Sequence, residues 1–276
     1  MKKNITFGIV QGRLIQPPNG QLQWFPQDQW EDEFSLASKL GFNFIELIDE
    51  RQFNGNNPIW TDDGVEKIKY LTKKNNLSMN AFCTDNIIEH PISSDNSVTQ
   101  HIIKVLERGE LLGMKKLILP LFEHSELTVK NFPKYEKNLI KIADNAEEKN
   151  IMICLETVLN GKDLLHVLGA LNHDNIKCVF DTGNRIAYGH DIYNDIKLLG
   201  NQIQHVHIKD KNEKNENVLL GTGKVNFYEV FSSLKEIRYN GPYTFETCRG
   251  KNPIRTAKYN MSLTNFFIEE VFDNEN

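Results

Sequence analysis

The chain has 276 residues, of which 39% are hydrophobic and 25% are charged, and its formal net charge is −5. This length provides a sizeable hydrophobic core for one large α/β domain or two small ones. The mild acidity argues against a nucleic-acid partner, which usually needs a basic face. No apolar run approaches about eighteen residues and the chain does not start with a long apolar stretch, so we expect neither a membrane span nor a signal peptide.

Short β-like segments alternate with longer amphipathic segments along the chain. The predicted strands are residues 5–10, 42–48, 78–83, 116–122, 151–156, 177–181, 203–208 and 243–247. The predicted helices are residues 30–40, 64–74, 101–112, 135–149, 162–171, 192–199, 227–237 and 256–272. Strands that alternate with helices at this spacing are typical of parallel strands joined by right-handed crossovers.

Eight strand–helix units in about 250 residues favour a closed (β/α)8 TIM barrel, with one domain over residues 1–276. An open doubly wound sheet is the alternative. That fold usually carries a GxGxxG turn after its first strand, whereas the turn at residues 10–14 reads VQGRL. The sequence therefore predicts the barrel.

The cysteines each stand alone within or beside a β-like segment, and no CxxC pair occurs. This pattern predicts reduced, small apolar side chains, as in a soluble cytoplasmic protein. The four residues are Cys83, Cys154, Cys178 and Cys248.

Four consecutive predicted strands end with a polar side chain that faces the barrel interior: Glu156, Asp181, His207 and Glu246. This assignment follows from the strand period of two, because the neighbouring apolar residues face the helices. Three carboxylates at one barrel mouth would repel one another, and a divalent cation removes that problem. The set suits Mn, Co, Mg or Zn. Four unrelated salt-bridged or loop residues are the alternative, which explains their common phase less well.

The segments around these residues resemble the xylose isomerase-like sugar phosphate isomerases and epimerases, a family of single-metal TIM barrels. The resemblance covers nearly the whole chain, and the opening IVQGRL is similar to members that act on ketose phosphates. The other motifs are ICLET around Glu156, VFDTGN around Asp181, HVHIKD around His207, GTGKVNF at residues 221–227 and FET around Glu246.

The resemblance implies a metal held by these four residues and a small ketose or ketose phosphate as substrate. In the family's 3-epimerases, the residues that match Glu156 and Glu246 also form the acid/base pair on opposite faces of the sugar carbon. The metal would polarise the C2 carbonyl and an adjacent hydroxyl, and protons would move through a metal-bound cis-enediolate. The implied enzyme is a metal-dependent isomerase or epimerase.

Two departures bear on the substrate. Asn184 stands where some free-ketose epimerases of the family have a histidine, and residues 209–215 lack an arginine that those enzymes carry. These differences favour the members that handle sugar phosphates and related polyols. A lyase of the inosose-dehydratase type, a hydroxypyruvate isomerase and a non-catalytic carbohydrate-binding barrel remain alternatives. DNA-repair endonucleases share the barrel, but they use further metal ligands and basic loops that this sequence lacks.

Five further residues are candidate substrate ligands. Glu46 is predicted near the barrel mouth, and its alternative is a buried carboxylate paired with a core cation. Gln11 and Arg13 follow the first strand and are placed to reach a substrate. Lys209, at the end of the seventh strand, would stabilise an enediolate or a phosphate, or be a solvated lysine at the rim. Arg249 follows the eighth strand, where barrels often bind phosphate.

The remaining histidines receive no predicted role in the reaction. His205 lies one layer below the proposed metal ligand and is predicted to be a hydrogen-bonded core residue. His124 and His190 are predicted in exposed loops. Residues 209–217 are predicted to form a solvated loop, whose far end at 221–227 turns back toward the site. The sequence leaves open the substrate, the metal, and whether the chain is a monomer or a homo-oligomer.

Overall fold

The computed structural model describes residues 5–18, 20–93 and 96–272. Within these ranges, eight parallel strands form a closed barrel in which each strand pairs with the next and the eighth pairs with the first. The strands are β1 (Phe7–Val10), β2 (Phe44–Asp49), β3 (Ala81–Thr84), β4 (Lys116–Leu121), β5 (Met152–Thr157), β6 (Ile176–Asp181), β7 (Ile203–Ile208) and β8 (Tyr243–Phe245).

Helices follow the strands and surround the barrel. They are α1 (Trp30–Lys39), α2 (Asp62–Lys74), α3 (Asn86–Glu89), α4 (Asn96–Leu112), α5 (Glu136–Glu148), α6 (Gly161–Leu171), α7 (Thr182–Ala187), α8 (Ile192–Leu199), α9 (Phe227–Glu236) and α10 (Pro253–Phe272). None of these described helices is both long and apolar enough to cross a membrane.

The single-domain (β/α)8 barrel confirms the predicted fold, and the eight predicted strands and eight predicted helices are all present with small shifts of their ends. The structure adds α3 and α7, which directly follow β3 and β6. These helices have four and six residues, so they are too short to show an amphipathic period. The domain bounds of 1–276 stay a prediction, because both chain ends lie outside the described residues.

The core has two layers, as the predicted strand phases require. Inward side chains such as Phe44, Ile48 and Cys154 pack inside the barrel. Outward side chains such as Ile153 and Leu155 pack against the helices. No described cysteine forms a disulfide, and all four thiols are free.

The ring of Phe44, at the start of β2, is buried inside the barrel. This ring lies against Gly8, its register partner on the neighbouring strand, so closely that a Cβ atom at Gly8 would overlap it. The barrel thus needs a glycine at position 8 on β1, because the aromatic ring of Phe44 on β2 takes the space that a side chain there would occupy.

We expect Gly8→Ala to lower the free energy of unfolding by about 1–3 kcal/mol, because the added methyl must displace a packed aromatic ring. The measurement is urea denaturation followed by circular dichroism. Gly169→Ala in α6 is the matched control, since a Cβ there meets no atom within 4 Å. Equal midpoints for the two variants would contradict this account of the barrel interior.

Candidate metal centre

The structure brings the four predicted ligands together at the carboxyl ends of neighbouring strands. Glu156 is on β5, Asp181 ends β6, His207 is on β7 directly opposite Asp181, and Glu246 follows β8. One ligand atom from each lies within 4.8 Å of the ligand atoms of the other three. All four side chains are buried.

The orientation of His207 fits a metal ligand. Its Nε2 lies 3.0 Å from Glu46 Oε1, and a carboxylate only accepts, so Nε2 carries the proton in this hydrogen bond. Its Nδ1 lies 3.3 Å from Glu246 Oε2, 3.7 Å from Glu156 Oε1 and 4.0 Å from Asp181 Oδ2. That nitrogen has no hydrogen-bond partner in the described part of the chain. Three carboxylate oxygens around one imidazole nitrogen require a proton or a cation between them.

Glu46 orients this histidine from below. Its carboxylate is fully buried, and its Oε2 lies 2.8 Å from His205 Nε2. Burial opposes ionisation of Glu46, but His207 and His205 outweigh it and lower its pKa to about 2. Metal-bound histidines commonly donate their second N–H to such a carboxylate. The contacts that the structure shows for Glu46 are therefore to histidines, and its predicted contact with substrate stays a prediction.

His205 is a core histidine, in agreement with its prediction. Its side chain is fully buried, and its Nε2 also lies 2.8 Å from Thr244 Oγ1. Burial lowers the pKa of His205 to about 4, so its imidazole is neutral near pH 7. His124 and His190 are both predicted to be exposed. His124 is exposed and lies beside Glu89. His190 is half-buried, and its Nε2 lies 2.7 Å from Val158 O.

Two side-chain cations compensate the carboxylates. Lys209 Nζ lies 2.9 Å from Asp181 Oδ2 and 2.6 Å from Glu246 Oε2, and Arg13 Nη2 lies 3.0 Å from Glu246 Oε1. Burial alone would raise the pKa of Glu246, but Lys209, His207 and Arg13 hold it well below its usual value. Burial raises the pKa of Glu156 above its usual value. Lys209 is 4% exposed, which excludes the alternative of a solvated lysine at the rim.

The loop after β1 is held in place by a residue that the sequence did not single out. The Glu33 carboxylate in α1 accepts hydrogen bonds from the N–H groups of Gly12 at 2.9 Å and Leu14 at 3.2 Å, the two neighbours of Arg13. Glu33 is one of three acidic residues in the first turn of its helix, and only its burial distinguishes it. No sequence signal separates it from the other two.

Two more predicted substrate ligands take part in this loop network. The Gln11 side-chain oxygen accepts a hydrogen bond from Ile48 N at 3.2 Å. Arg249 donates from Nε to Gly12 O at 2.7 Å and from Nη1 to Gln21 O at 2.8 Å. Its Nη2 is buried without a hydrogen-bond partner among the described residues. Contact of either side chain with a substrate stays a prediction.

A cavity of about 380 Å³ lies above the carboxylates, and both Lys209 and Glu246 line it. Pockets of this size take small organic ligands. Arg51 also lines the cavity and forms ion pairs with Glu89 and Glu123. The other lining residues include Gln21, Gln23, Asp85, Asn184, Lys211 and Asn217.

The loop at residues 221–227 returns to the site as predicted. The Asp210 carboxylate accepts hydrogen bonds from the N–H groups of Gly221 at 3.0 Å, Gly223 at 2.9 Å and Val225 at 3.1 Å. Three amide donors on one carboxylate hold this loop against the residue that follows Lys209.

Known proteins are similar to this chain over most of its length. The sequence model of the family described as "Xylose isomerase-like TIM barrel" matches residues 34–265. A probable L-ribulose-5-phosphate 3-epimerase of Mycoplasma pneumoniae is 23% identical over 250 residues, 84% of this chain and 81% of that protein. The L-ribulose-5-phosphate 3-epimerase of Escherichia coli is 24% identical over 271 residues, 89% of this chain and 88% of that protein.

Solved structures share the fold. A D-psicose 3-epimerase with D-tagatose, from Clostridium cellulolyticum H10, superposes with a TM-score of 0.77 at 16% identity, over 96% of this chain and 99% of that one. The IOLI protein with a binding zinc atom superposes with a TM-score of 0.76 at 16% identity, over 97% and 99% of the two chains.

We expect His207→Ala to reduce the binding of Mn²⁺ by at least about 10-fold, because even residues that support a metal ligand contribute factors of 10–100 to metal affinity. Calorimetric titration and metal analysis of dialysed protein give the affinity and the occupancy. His124→Ala removes an exposed histidine and should bind metal like the wild type. Unchanged occupancy and thermal stability in His207→Ala would contradict the four-ligand scheme.

Proposed function

The chain belongs to the xylose isomerase-like TIM barrel family, and from this premise we propose that it is a divalent-metal-dependent epimerase or isomerase of a small ketose or ketose phosphate. The observation that carries the proposal is the buried cluster of Glu156, Asp181, His207 and Glu246 beneath a cavity at the barrel mouth. Two relatives carry the name of an L-ribulose-5-phosphate 3-epimerase, one of them as a probable one, and these names favour epimerisation over the other reactions.

The donor set fits Mn, Co, Mg or Zn. Three carboxylates and one imidazole nitrogen are suitable ligands for these ions, and His207 Nδ1 is the nitrogen whose lone pair faces the carboxylates. When bound, a divalent ion supplies Lewis-acid stabilisation of the negative charge that develops on the ketose oxygens.

The two glutamates are proposed to move the protons. Glu156 is on β5 and Glu246 follows β8. The strands β6 and β7 therefore lie between them around the barrel. One carboxylate removes the proton from the carbon beside the carbonyl, and the C–H electron pair moves toward the carbonyl oxygen to give a cis-enediolate. The other carboxyl group returns a proton to the opposite face of that carbon, which inverts it.

Lys209 is placed to support this chemistry. Its buried ammonium contacts Asp181 and Glu246, and it lines the cavity where the substrate would lie. A fixed positive charge in a site shielded from water stabilises an anionic intermediate more strongly than it would in bulk water. The proposed role of Lys209 is therefore to stabilise the enediolate.

The decisive experiment is deuterium exchange. Protein loaded with Mn²⁺ is incubated in D2O with L-ribulose 5-phosphate, D-psicose and other small ketoses, and the products are followed by NMR. We expect deuterium at the carbon that is inverted. A carbohydrate-binding barrel would give no exchange, and a dehydratase would release a product that has lost water. The names of the two relatives compared above favour neither alternative.

We expect Glu156→Gln and Glu246→Gln each to lower turnover by at least about 100-fold, because glutamine keeps the size of the side chain but cannot transfer the proton. The two variants should also differ from each other. If each glutamate serves one face of the carbon, one variant retains deuterium exchange from one epimer without inversion.

Metal content is measured first, so that a lost ligand is not mistaken for a lost base. Asp163→Asn, on the outer helix α6, is a matched loss of a carboxylate away from the cavity and should keep full turnover. Near-wild-type turnover in both metal-loaded glutamine variants would mean that Glu156 and Glu246 are ligands only.

The phosphate of a ketose phosphate needs a cation in the cavity. Lys211 lines the cavity, and the contact that the structure shows for its Nζ is Asn215 O at 3.3 Å. Arg51 and Lys209 in the same cavity are paired with carboxylates. Arg249, a candidate for phosphate binding in the sequence, donates to two backbone oxygens. We therefore propose Lys211 as the phosphate contact.

We expect Lys211→Ala to raise the KM for a phosphorylated ketose by roughly 10- to 100-fold, since a charge-assisted hydrogen bond contributes about 1.5–3 kcal/mol. The KM for the unphosphorylated analogue should not change. Steady-state kinetics with both substrates provide the test, and Arg249→Ala is measured beside it. If only Arg249→Ala raises the KM for the phosphorylated ketose selectively, Arg249 and not Lys211 is the phosphate contact.

A further inference from the structure

Asp85 is a buried acid that the proposed reaction does not use. It directly follows β3, its backbone N–H donates to Asp49 O at 2.8 Å, and its side chain is 2% exposed. Cys83 Sγ lies 3.4 Å from Asp85 Oδ1, a weak contact. Oδ2 is buried without a hydrogen-bond partner in the described ranges. A buried oxygen left without a partner costs about 1–3 kcal/mol, so its retention calls for an explanation.

A structural role as a helix cap does not explain it. Asp85 occupies the position before α3, where an aspartate often accepts hydrogen bonds from the first N–H groups of a helix. Its side chain makes no such hydrogen bond. The carboxyl group therefore does not stabilise the helix that follows it.

The position of Asp85 points to a ligand. It lines the cavity above the metal centre and also an adjoining cavity of about 420 Å³ beside the loop that follows β1. The two cavities share Gln21, Gln23, Arg51 and Asp85 among their lining residues. Asp85 therefore stands where a molecule held at the metal centre would extend into the second cavity.

The charge of the surroundings also fits a hydroxyl partner. Burial raises the pKa of Asp85 to about 7, and the negative charges of Glu246 and Glu156 act in the same direction, whereas hydrogen bonds with the Gln23 and Cys83 side chains oppose the rise. An acid in this state pairs well with a neutral hydroxyl group, which both donates and accepts hydrogen bonds. A phosphate would be repelled by the same carboxylates.

The barrel sets Asp85 across from the proposed phosphate contact. Asp85 follows β3 and Lys211 follows β7, and these strands are four positions apart in a closed barrel of eight. The cavity therefore carries Asp85 on one side and Lys211 on the other. A polyhydroxylated chain with one anionic end would bind in one direction only.

We propose that Asp85 binds a hydroxyl group of the sugar on the carbons beyond the centre that is inverted, and thereby selects which ketoses the enzyme accepts. This inference rests on the proposed function, because it assumes a sugar at the metal centre. The hydroxyl group supplies the partner that Asp85 Oδ2 lacks.

The test compares a ketose that the wild-type enzyme converts with its 4-deoxy and 5-deoxy analogues. In the wild type, we expect one analogue to have a kcat/KM about 10- to 100-fold below that of the parent sugar, the value of a hydrogen bond to an acidic group. In Asp85→Ala, that analogue and the parent sugar should have similar kcat/KM values. Asp85→Asn, which can still form a hydrogen bond, should restore part of the discrimination.

Glu123→Gln is the control, because Glu123 lines the same cavity but is paired with Arg51. It should keep the discrimination of the wild type. If Asp85→Ala does not fold, Asp85→Leu removes both oxygens at similar volume and gives the same comparison. An equal loss for the parent sugar and both analogues would overturn the inference and leave the proposed function intact. A wild-type protein that exchanges no C–H proton of any ketose would overturn both.

Discussion

The repulsion among three buried carboxylates at the carboxyl ends of the strands is the constraint around which this site is built. Glu156, Asp181 and Glu246 face one another where water is largely excluded, and a buried charge without compensation costs several kcal/mol. Lys209 and Arg13 supply two positive charges at direct ion-pair distance. A divalent cation would add the charge and the coordination that these side chains alone do not provide.

The compensation of these charges also depends on residues that position Lys209 from outside the cluster of carboxylates. Lys209 passes alongside Gly183, where a Cβ atom would lie 2.7 Å from the lysine Cγ, so a side chain there would displace the lysine. Thr182 holds the lysine backbone with hydrogen bonds of 2.6 and 3.0 Å. The end of β6 therefore supplies a candidate ligand, Asp181, and the residues that follow it leave the space that the Lys209 side chain needs.

The need to compensate the buried carboxylates also separates the strands that carry the candidate ligands from the strands that line the cavity. The four candidate metal ligands lie on or directly after β5 to β8, whereas Asp85 after β3 lines the cavity. The loop after β1 closes this wall, and buried Glu33 and Arg249 hold it from two directions. Rigid support of this kind keeps charged groups at fixed positions, which a reaction through an anionic intermediate requires.

The sequence by itself determined the barrel and the convergence of Glu156, Asp181, His207 and Glu246. It could do so because the strand period of two fixes which side chains face inward, and the strand order fixes which strands are neighbours. Tertiary structure alone decided that Arg249 donates to backbone oxygens and that Glu33 holds the loop around Arg13. It also decided that Asp85 Oδ2 lacks a hydrogen-bond partner among the described residues. These residues lie in loops or on helices, where contacts depend on chain paths between distant segments, and no local period in the sequence records them.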